Sequence, residues 1–371
     1  MRVLVTGACG FVGRNLLSIL SQRQDAVPDG FDLEDDPLSL AERVNVADVI
    51  FHLAGVNRPK NIKEFQIGNV DLTRQILSIL EGSNRVTPII LTSSTQAALD
   101  NPYGKSKRAA EDAVFAYSKR TGARVYVYRL PNLFGKWGRP NYNSVVATFC
   151  YNIARGISIQ IHDPTDKIQL VYIDDLMAEF IKALQGAASR EGEFCVVPMV
   201  HEITVGELAE RIHSFRNSRH DLSICSQQDI LTQRLYSTYI SNLPEDGFRY
   251  PLKMNCDVRG SFTEFIKTPD RGQVSINISK PGVTKGNHWH HTKTEKFLVV
   301  SGTGVIRFRR IGGDEIISYE VNGEKLQVVD IPPGYTHNIT NLGDADMVTV
   351  MWASEAFDPA RMDTIFEEVE K

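Results

Sequence analysis

The apolar positions keep one rhythm over the first two-thirds of the chain and another over the last third. In the first part short, near-continuous apolar runs alternate with helical periodicity. Residues 2–5 end in a glycine turn and lead into an amphipathic run to Leu20, and residues 47–55 form an apolar run ending in small side chains. Asn69 then opens a helical stretch with Leu72, Ile76, Leu77 and Leu80 on one face, and residues 88–95 and 123–135 read as further buried strands. Apolar strands alternating with helices predict a doubly wound parallel sheet. The second strand, within residues 26–36, is short and interrupted by Pro28, and the helix after it looks abbreviated. Residues 202–215 read as the last clear amphipathic helix of this part. Around residues 242–252 the composition turns to proline, glycine and acid, a linker signal. Beyond it the pattern alternates in residues 273–279, 295–302, 304–311, 324–331 and 347–354. Short alternating strands between turn residues predict an all-β sandwich or barrel. The expected organisation is an α/β domain over 1–245 and an all-β domain over 246–371.

Composition narrows the functional classes. A chain of 371 residues exceeds one ordinary core, and 42% hydrophobic with 23% charged residues is usual for a globular protein. A net charge of −4 without a long basic run gives no footprint for nucleic acid or an anionic membrane. No apolar run reaches the length of about 18 residues that a membrane span needs. Residues 1–5 enter a strand directly, without a signal-peptide layout. The five cysteines (Cys9, Cys150, Cys195, Cys225, Cys256) show neither pairing nor metal spacing, so reduced thiols in a cytoplasmic protein are expected.

Two constellations carry chemistry. Gly7, Gly10 and Gly13 form G-x-x-G-x-x-G between the first strand and the first helix, the context in which glycines admit a pyrophosphate to the N–H groups at a helix start. Phe11 and Val12 open that helix. Asp32 follows the second strand and is placed near the adenosine, leaving NAD or NADP open. In the stretch 102–107, PYGKSK, Tyr103 and Lys107 stand four residues apart on one helix face. An ammonium beside a phenol favours the phenolate, so Tyr103 is expected to have a lowered pKa and to serve as proton donor to a carbonyl oxygen. In the second part, His288 and His290 are two apart on a strand and face the same way, with Glu295 and the distant His337 completing a donor set suited to zinc or another transition metal.

The motifs TGACGFVG, HLAG, NVDLT, PYGKSK, RLPNLFG and VYIDDL make the first part resemble the extended short-chain dehydrogenase/reductases that modify nucleotide-activated sugars. The resemblance implies Tyr103 as proton donor, Lys107 as the residue that binds the nicotinamide ribose and acidifies the tyrosine, and Ser94 holding the carbonyl, with Ser93 and Thr95 as neighbouring alternatives. It also implies Leu53 and Ala54 beside the cofactor, and a sugar-nucleotide site past residue 136 that includes Trp137 and Tyr142. The second part resembles the cupins, with Leu326 where the second motif usually has glycine, and within them the nucleotide-sugar 3,5-epimerases. That likeness makes His290, Glu295 and His337 ligands, His288 a fourth ligand or a base, and Arg259 and Glu264 substrate contacts. The pairing resembles the bifunctional capsular polysaccharide enzymes of UDP-N-acetyl-L-fucosamine synthesis. It implies a UDP-2-acetamido-2,6-dideoxy-4-hexulose that is epimerised at C3 and reduced at C4, with NADPH, zinc and a homodimer. The alternative is a 4-ketoreductase whose cupin serves only as a structural or dimerisation module.

Overall fold

The computed structural model describes residues 1–83, 85–226, 228–268, 270–356 and 363–371. The chain divides into two compact units: Met1–Ser214 with Gln227–Glu245, and Phe215–Ser226 with Asp246–Lys371.

The first unit is built on a parallel sheet of β1 (Arg2–Thr6), β2 (Val27–Phe31), β3 (Val49–His52), β4 (Ile89–Ser94) and β5 (Val125–Leu130) in the order β2-β1-β3-β4-β5. Side chains alternate across β1. Val3 and Val5 join one core with Leu16 and Leu20 of α1 (Phe11–Leu20) and Met177 and Phe180 of α7 (Ile173–Leu184). Leu4 joins the other core with Leu40 and Val44 of α2 (Ser39–Val46), Leu80 of α4 (Leu72–Gly82) and Val114 of α5 (Pro102–Thr121). Two cores on opposite faces of one sheet make this a doubly wound Rossmann unit. Pro28 is tolerated because β2 is an edge strand, and α2 has only eight residues. A helical turn α3 (Lys63–Phe65) and a π-helical stretch (Gln66–Asp71) lead into α4, so the helix starts earlier and less regularly than the periodicity suggests.

Several elements differ from the pattern. The expected strand over 123–135 is split, because Pro131 has no N–H to continue the ladder. After it β6 (Asn132–Phe134) joins a second sheet with β7 (Lys167–Tyr172), which in turn pairs with β10 (His201–Thr204). Two short strands, β8 (Arg190–Glu191) and β9 (Phe194–Cys195), extend the main sheet beyond β5. The expected helix over 202–215 begins as that strand β10 and becomes α8 (Val205–Asp221) only after Thr204. There Glu207 N donates to Thr204 Oγ1 at 3.2 Å while the Glu207 carboxylate accepts from Thr204 N at 3.0 Å, a capping box. The pattern also missed α9 (Ile230–Ser241), which buries Leu231, Leu235, Thr238 and Tyr239. Its two buried polar-bearing side chains blur the apolar stripe. This unit also contains α6 (Val145–Ala154).

The second unit is a cupin jelly roll of two antiparallel sheets. One contains β11 (Met254–Asp257), β12 (Gly260–Thr268), β13 (Gly272–Ser279), β15 (Glu295–Ser301), β18 (Val328–Ile331) and β20 (Met347–Ala353) in the order β11-β12-β13-β20-β15-β18. The other contains β14 (Thr284–Trp289), β16 (Thr303–Arg310), β17 (Ile316–Asn322), β19 (Tyr335–Asn341) and β21 (Ile365–Phe366) in the order β17-β16-β19-β14-β21. Their inward faces meet in a core of Phe297, Val299, Ile306, Phe308, Val321, Ile339 and Met347. Among the described residues no helix is long and apolar enough to cross a membrane.

Candidate functional site

At the top of the first sheet the glycine turn is held where a dinucleotide needs it. Gly7 has φ +72°, and a Cβ there would lie 2.7 Å from Ala54 N, so the turn packs directly on the segment leaving β3. A Cβ at Gly13 would lie 2.2 Å from Gly7 O, so only glycine lets α1 start so close to β1. Gly10 is the N-cap of α1 and no side chain caps the first turn, which leaves the helix start at Phe11 and Val12 able to receive an anion. Leu53 and Ala54 thus lie beside the loop, at the switch point between β1 and β3. Asp32 follows β2 directly, and its Oδ2 accepts from Cys9 N at 2.6 Å.

The loop after β3 is fixed by residues the motifs contained but sequence reasoning gave no role. His52 is fully buried between Thr6 Oγ1 at 2.7 Å and Thr73 Oγ1 at 2.8 Å. Burial, then the Lys107 charge, pushes it down to about 3, so it is a neutral structural imidazole. Asn69 Oδ1 accepts from Val56 N at 2.7 Å, and its Nδ2 donates to Val56 O and Ser106 Oγ, both at 2.9 Å. Asn69→Ala strips the buried loop of these partners, and we expect a loss of about 1–3 kcal/mol in a urea unfolding titration.

Tyr103 and Lys107 lie on α5, whose N-cap Asn101 accepts from Gly104 N at 2.7 Å with Pro102 at the first turn. Ser94 ends β4 and hydrogen-bonds the Tyr103 phenol. Ser93, the neighbouring alternative, points the other way and donates to buried Glu111, which also holds Arg129 at 2.7 Å. Thr95 is exposed and begins a 3₁₀ turn. The expected acidification of Tyr103 is not what the geometry gives. Burial raises the phenol, with the Ser94 hydrogen bond opposing, and the Lys107 Nζ donates to Thr92 O at 2.7 Å instead. Burial also lowers Lys107 to about 8, with Glu111 opposing. At neutral pH the phenol therefore keeps its proton, the form a donor requires. Trp137 is half-exposed with φ +66°, under Lys136 at 5.7 Å, and Tyr142 lies under Arg139 at 4.8 Å.

In the second unit His288, His290, Glu295 and His337 each bring one donor atom within 4.8 Å of the others. His288 and His337 are register partners on β14 and β19, while Glu295 reaches in from β15 of the facing sheet. A bulge between Gly286 and His288, with Asn287 at φ +59°, aims the first histidine inward. Glu295 Oε2 lies 3.4 Å from both His290 Nε2 and His337 Nε2, and these three buried atoms have no well-directed hydrogen bond among the described residues. Orphaned nitrogen and carboxylate donors converging on one point fit a divalent transition metal. The outer ring nitrogen of His290 bonds the Asp363 carbonyl oxygen, which fixes Nε2 as the free donor. The Asp363 carboxylate in turn accepts from the backbone of His291, Thr292 and Lys293, which holds it below the usual range. Burial pushes Glu295 up, but the close imidazoles and Lys293 outweigh it and keep the carboxyl low. Burial, and then His337, push His288 down to about 4.

Glu295 also borders a cavity of about 430 Å³ lined by Asn255, Phe262, Glu264, Gln273 and Lys293 among others. Glu264 therefore faces this cavity, whereas Arg259 pairs with exposed Asp257 at 2.6 Å and is not among its lining residues.

Residues 3–197 match the NAD dependent epimerase/dehydratase family, and residues 255–365 match the polysaccharide biosynthesis C-terminal domain. The chain is 49% identical over 364 residues to a UDP-2-acetamido-2,6-beta-L-arabino-hexul-4-ose reductase of Pseudomonas aeruginosa, covering 98% of each. The capsular polysaccharide assembling protein CapF of Staphylococcus aureus superposes with a TM-score of 0.95 at 53% identity, with 100% of both chains covered. A structure of CapF with the inhibitor 3-isopropenyl-tropolone gives 0.91 at 49%, again over 100% of both. The chain belongs to the NAD-dependent epimerase/dehydratase family, in the two-part form that joins a dinucleotide-binding unit to a polysaccharide biosynthesis C-terminal domain.

Proposed function

We propose that the chain is a bifunctional nucleotide-sugar enzyme. The cupin unit inverts C3 of a UDP-2-acetamido-2,6-dideoxy-4-hexulose, and the Rossmann unit reduces the C4 ketone to give a precursor of UDP-N-acetyl-L-fucosamine. One observation carries the reading: a protonated tyrosine paired with Ser94 beside a dinucleotide loop occurs in the same chain as a buried four-donor cluster bordering a cavity. Both constellations suit a carbonyl oxygen.

His290, Glu295 and His337, with His288, are the residues that would hold zinc, which when bound supplies Lewis-acid polarisation of the ketone. Neutral His288 is the base for the C3 proton or the fourth ligand, and both roles need the uncharged ring. Return of a proton to the opposite face of C3 inverts that centre. In the first unit a reduced nicotinamide, NADPH by the resemblance, supplies hydride to C4. Ser94 holds the oxygen, and Tyr103 transfers its phenolic proton to that oxygen as C4 is reduced. Lys107 lies beside the loop leaving β3 and binds the nicotinamide ribose. Homodimerisation follows from the resemblance, and a cytoplasmic location from five cysteines that are all free thiols.

The test is product analysis by NMR after incubating the full chain with a panel of 4-keto sugar nucleotides and NADH or NADPH in deuterated water. The UDP-linked acetamido sugar is expected to be reduced at C4 and to carry deuterium with inverted configuration at C3. A reduced product that keeps its C3 proton would refute the epimerase half, and no reduction of any panel member would refute the reductase half.

A further inference from the structure

An acidic segment, Asp32 with Glu34, Asp35 and Asp36, follows β2 at the place where a dinucleotide's adenosine ribose binds. In a dinucleotide fold the 2′-hydroxyl of the adenosine ribose meets the end of the second strand, and an acidic residue about 20 positions past the glycines bonds it. Asp32 is the residue directly after β2. The end of that strand is locked onto the glycine turn, since Phe31 O accepts from Gly7 N at 2.9 Å and from Ala8 N at 3.3 Å.

Both oxygens of Asp32 are oriented by the backbone. Oδ2 accepts from Cys9 N at 2.6 Å and Oδ1 from Leu33 N at 2.8 Å. A carboxylate has about four acceptor positions, so each oxygen retains one for a ribose hydroxyl. The turn is tied further by Asp32 N, which donates to Asp35 Oδ2 at 2.7 Å.

The charges around this point disfavour a phosphate. Asp32 is followed by Glu34, Asp35 and Asp36. Arg43 reaches this turn from α2 and is engaged with Asp29 at 2.7 Å and Asp35 at 3.3 Å. Arg14 is exposed on α1 and acts on Cys9, but Asp32 and Glu34 act on the same thiol with the opposite sign, and Asp32 is the strongest influence there. A 2′-phosphate would bring nearly two negative charges against a fixed carboxylate and its acidic neighbours, more than the single charge of exposed Arg14 offsets.

We propose that Asp32, clamped to the glycine turn through Cys9 N, makes this chain select NADH over NADPH. The inference rests on the reductase reading above and departs from the NADPH that the resemblance implies. Asp32 acts by accepting hydrogen bonds from the 2′- and 3′-hydroxyls and by repelling the 2′-phosphate.

Equilibrium binding to the full chain tests it without turnover, by calorimetric titration with NADH and with NADPH, repeated on Asp32→Asn and Asp32→Ala. NADH is expected to bind at least about tenfold tighter, a difference of about 1.4 kcal/mol. Asp32→Asn still accepts the Cys9 N–H but is uncharged, so it should shrink the ratio severalfold, chiefly through a gain for NADPH. Equal or tighter binding of NADPH by the parent chain, as if Arg14 met the phosphate, would overturn the inference and leave the reductase reading standing. An unchanged ratio in both variants would overturn it too. Binding of neither nucleotide would overturn the reductase reading and the inference together.

Discussion

Tyr103→Phe should cut the rate of ketone reduction by about 10²–10⁴-fold, the usual contribution of a positioned acid, while C3 proton exchange stays near the parent rate. The substitution removes only the oxygen. The ring keeps its place against Phe65, 5.6 Å away between centroids, so neither α5 nor the cofactor loop is disturbed. What is lost is the hydrogen bond with Ser94 and the proton for the C4 oxygen. Two assays separate the outcomes: nicotinamide oxidation followed by absorbance, and deuterium entry at C3 followed by NMR. Full reductase activity in the phenylalanine variant would remove Tyr103 from the chemistry. Joint loss of both activities would mean that the phenol does more than serve the reductase.

The second large effect belongs to the cupin. His290→Ala should empty the cluster of metal and abolish C3 exchange, while leaving the reduction of an already epimerised ketone intact. His290 is 1% exposed, its Nε2 lies 3.4 Å from Glu295 Oε2, and its other nitrogen is fixed by the Asp363 carbonyl oxygen. Loss of a group that merely orients a ligand costs about 10–100-fold in metal affinity, and loss of the ligand itself should exceed that. Metal content by atomic emission after dialysis against a chelator gives a readout independent of catalysis. Parent-level zinc in the variant would show that the four donors do not make the site. Zinc lost with exchange intact would leave the cupin a structural module.

The parts of the site that were legible in the sequence are those set by neighbours along the chain. Gly7, Gly10 and Gly13 announce a turn because the strand before and the helix after are equally clear. Tyr103 and Lys107 share a face because four residues make about one turn of helix. His288 and His290 converge because strand side chains alternate. The parts that were hidden depend on chain distant in sequence. Nothing near His290 points to Asp363, which fixes its ring from the last strand's approach. The contrary shift of Tyr103 follows from how deeply α5 packs and from Lys107 reaching Thr92, neither of which a spacing rule contains. Pro131 was visible, yet that it would send β6 into a different sheet depends on β7 being there to receive it. The weak stripe of α9 is a case of burial deciding a helix that polarity alone leaves undefined.

The share of Phe215–Ser226 in the second unit matters to anyone who dissects the gene. Lys267 on β12 donates its N–H to Leu222 O at 2.8 Å and accepts from Ile224 N at 3.0 Å, so these residues act as a short splint along that strand. A recombinant fragment that starts at residue 246 discards the splint and bares those two backbone groups, inviting foreign chains to pair there. An expression boundary placed ahead of residue 215 keeps it.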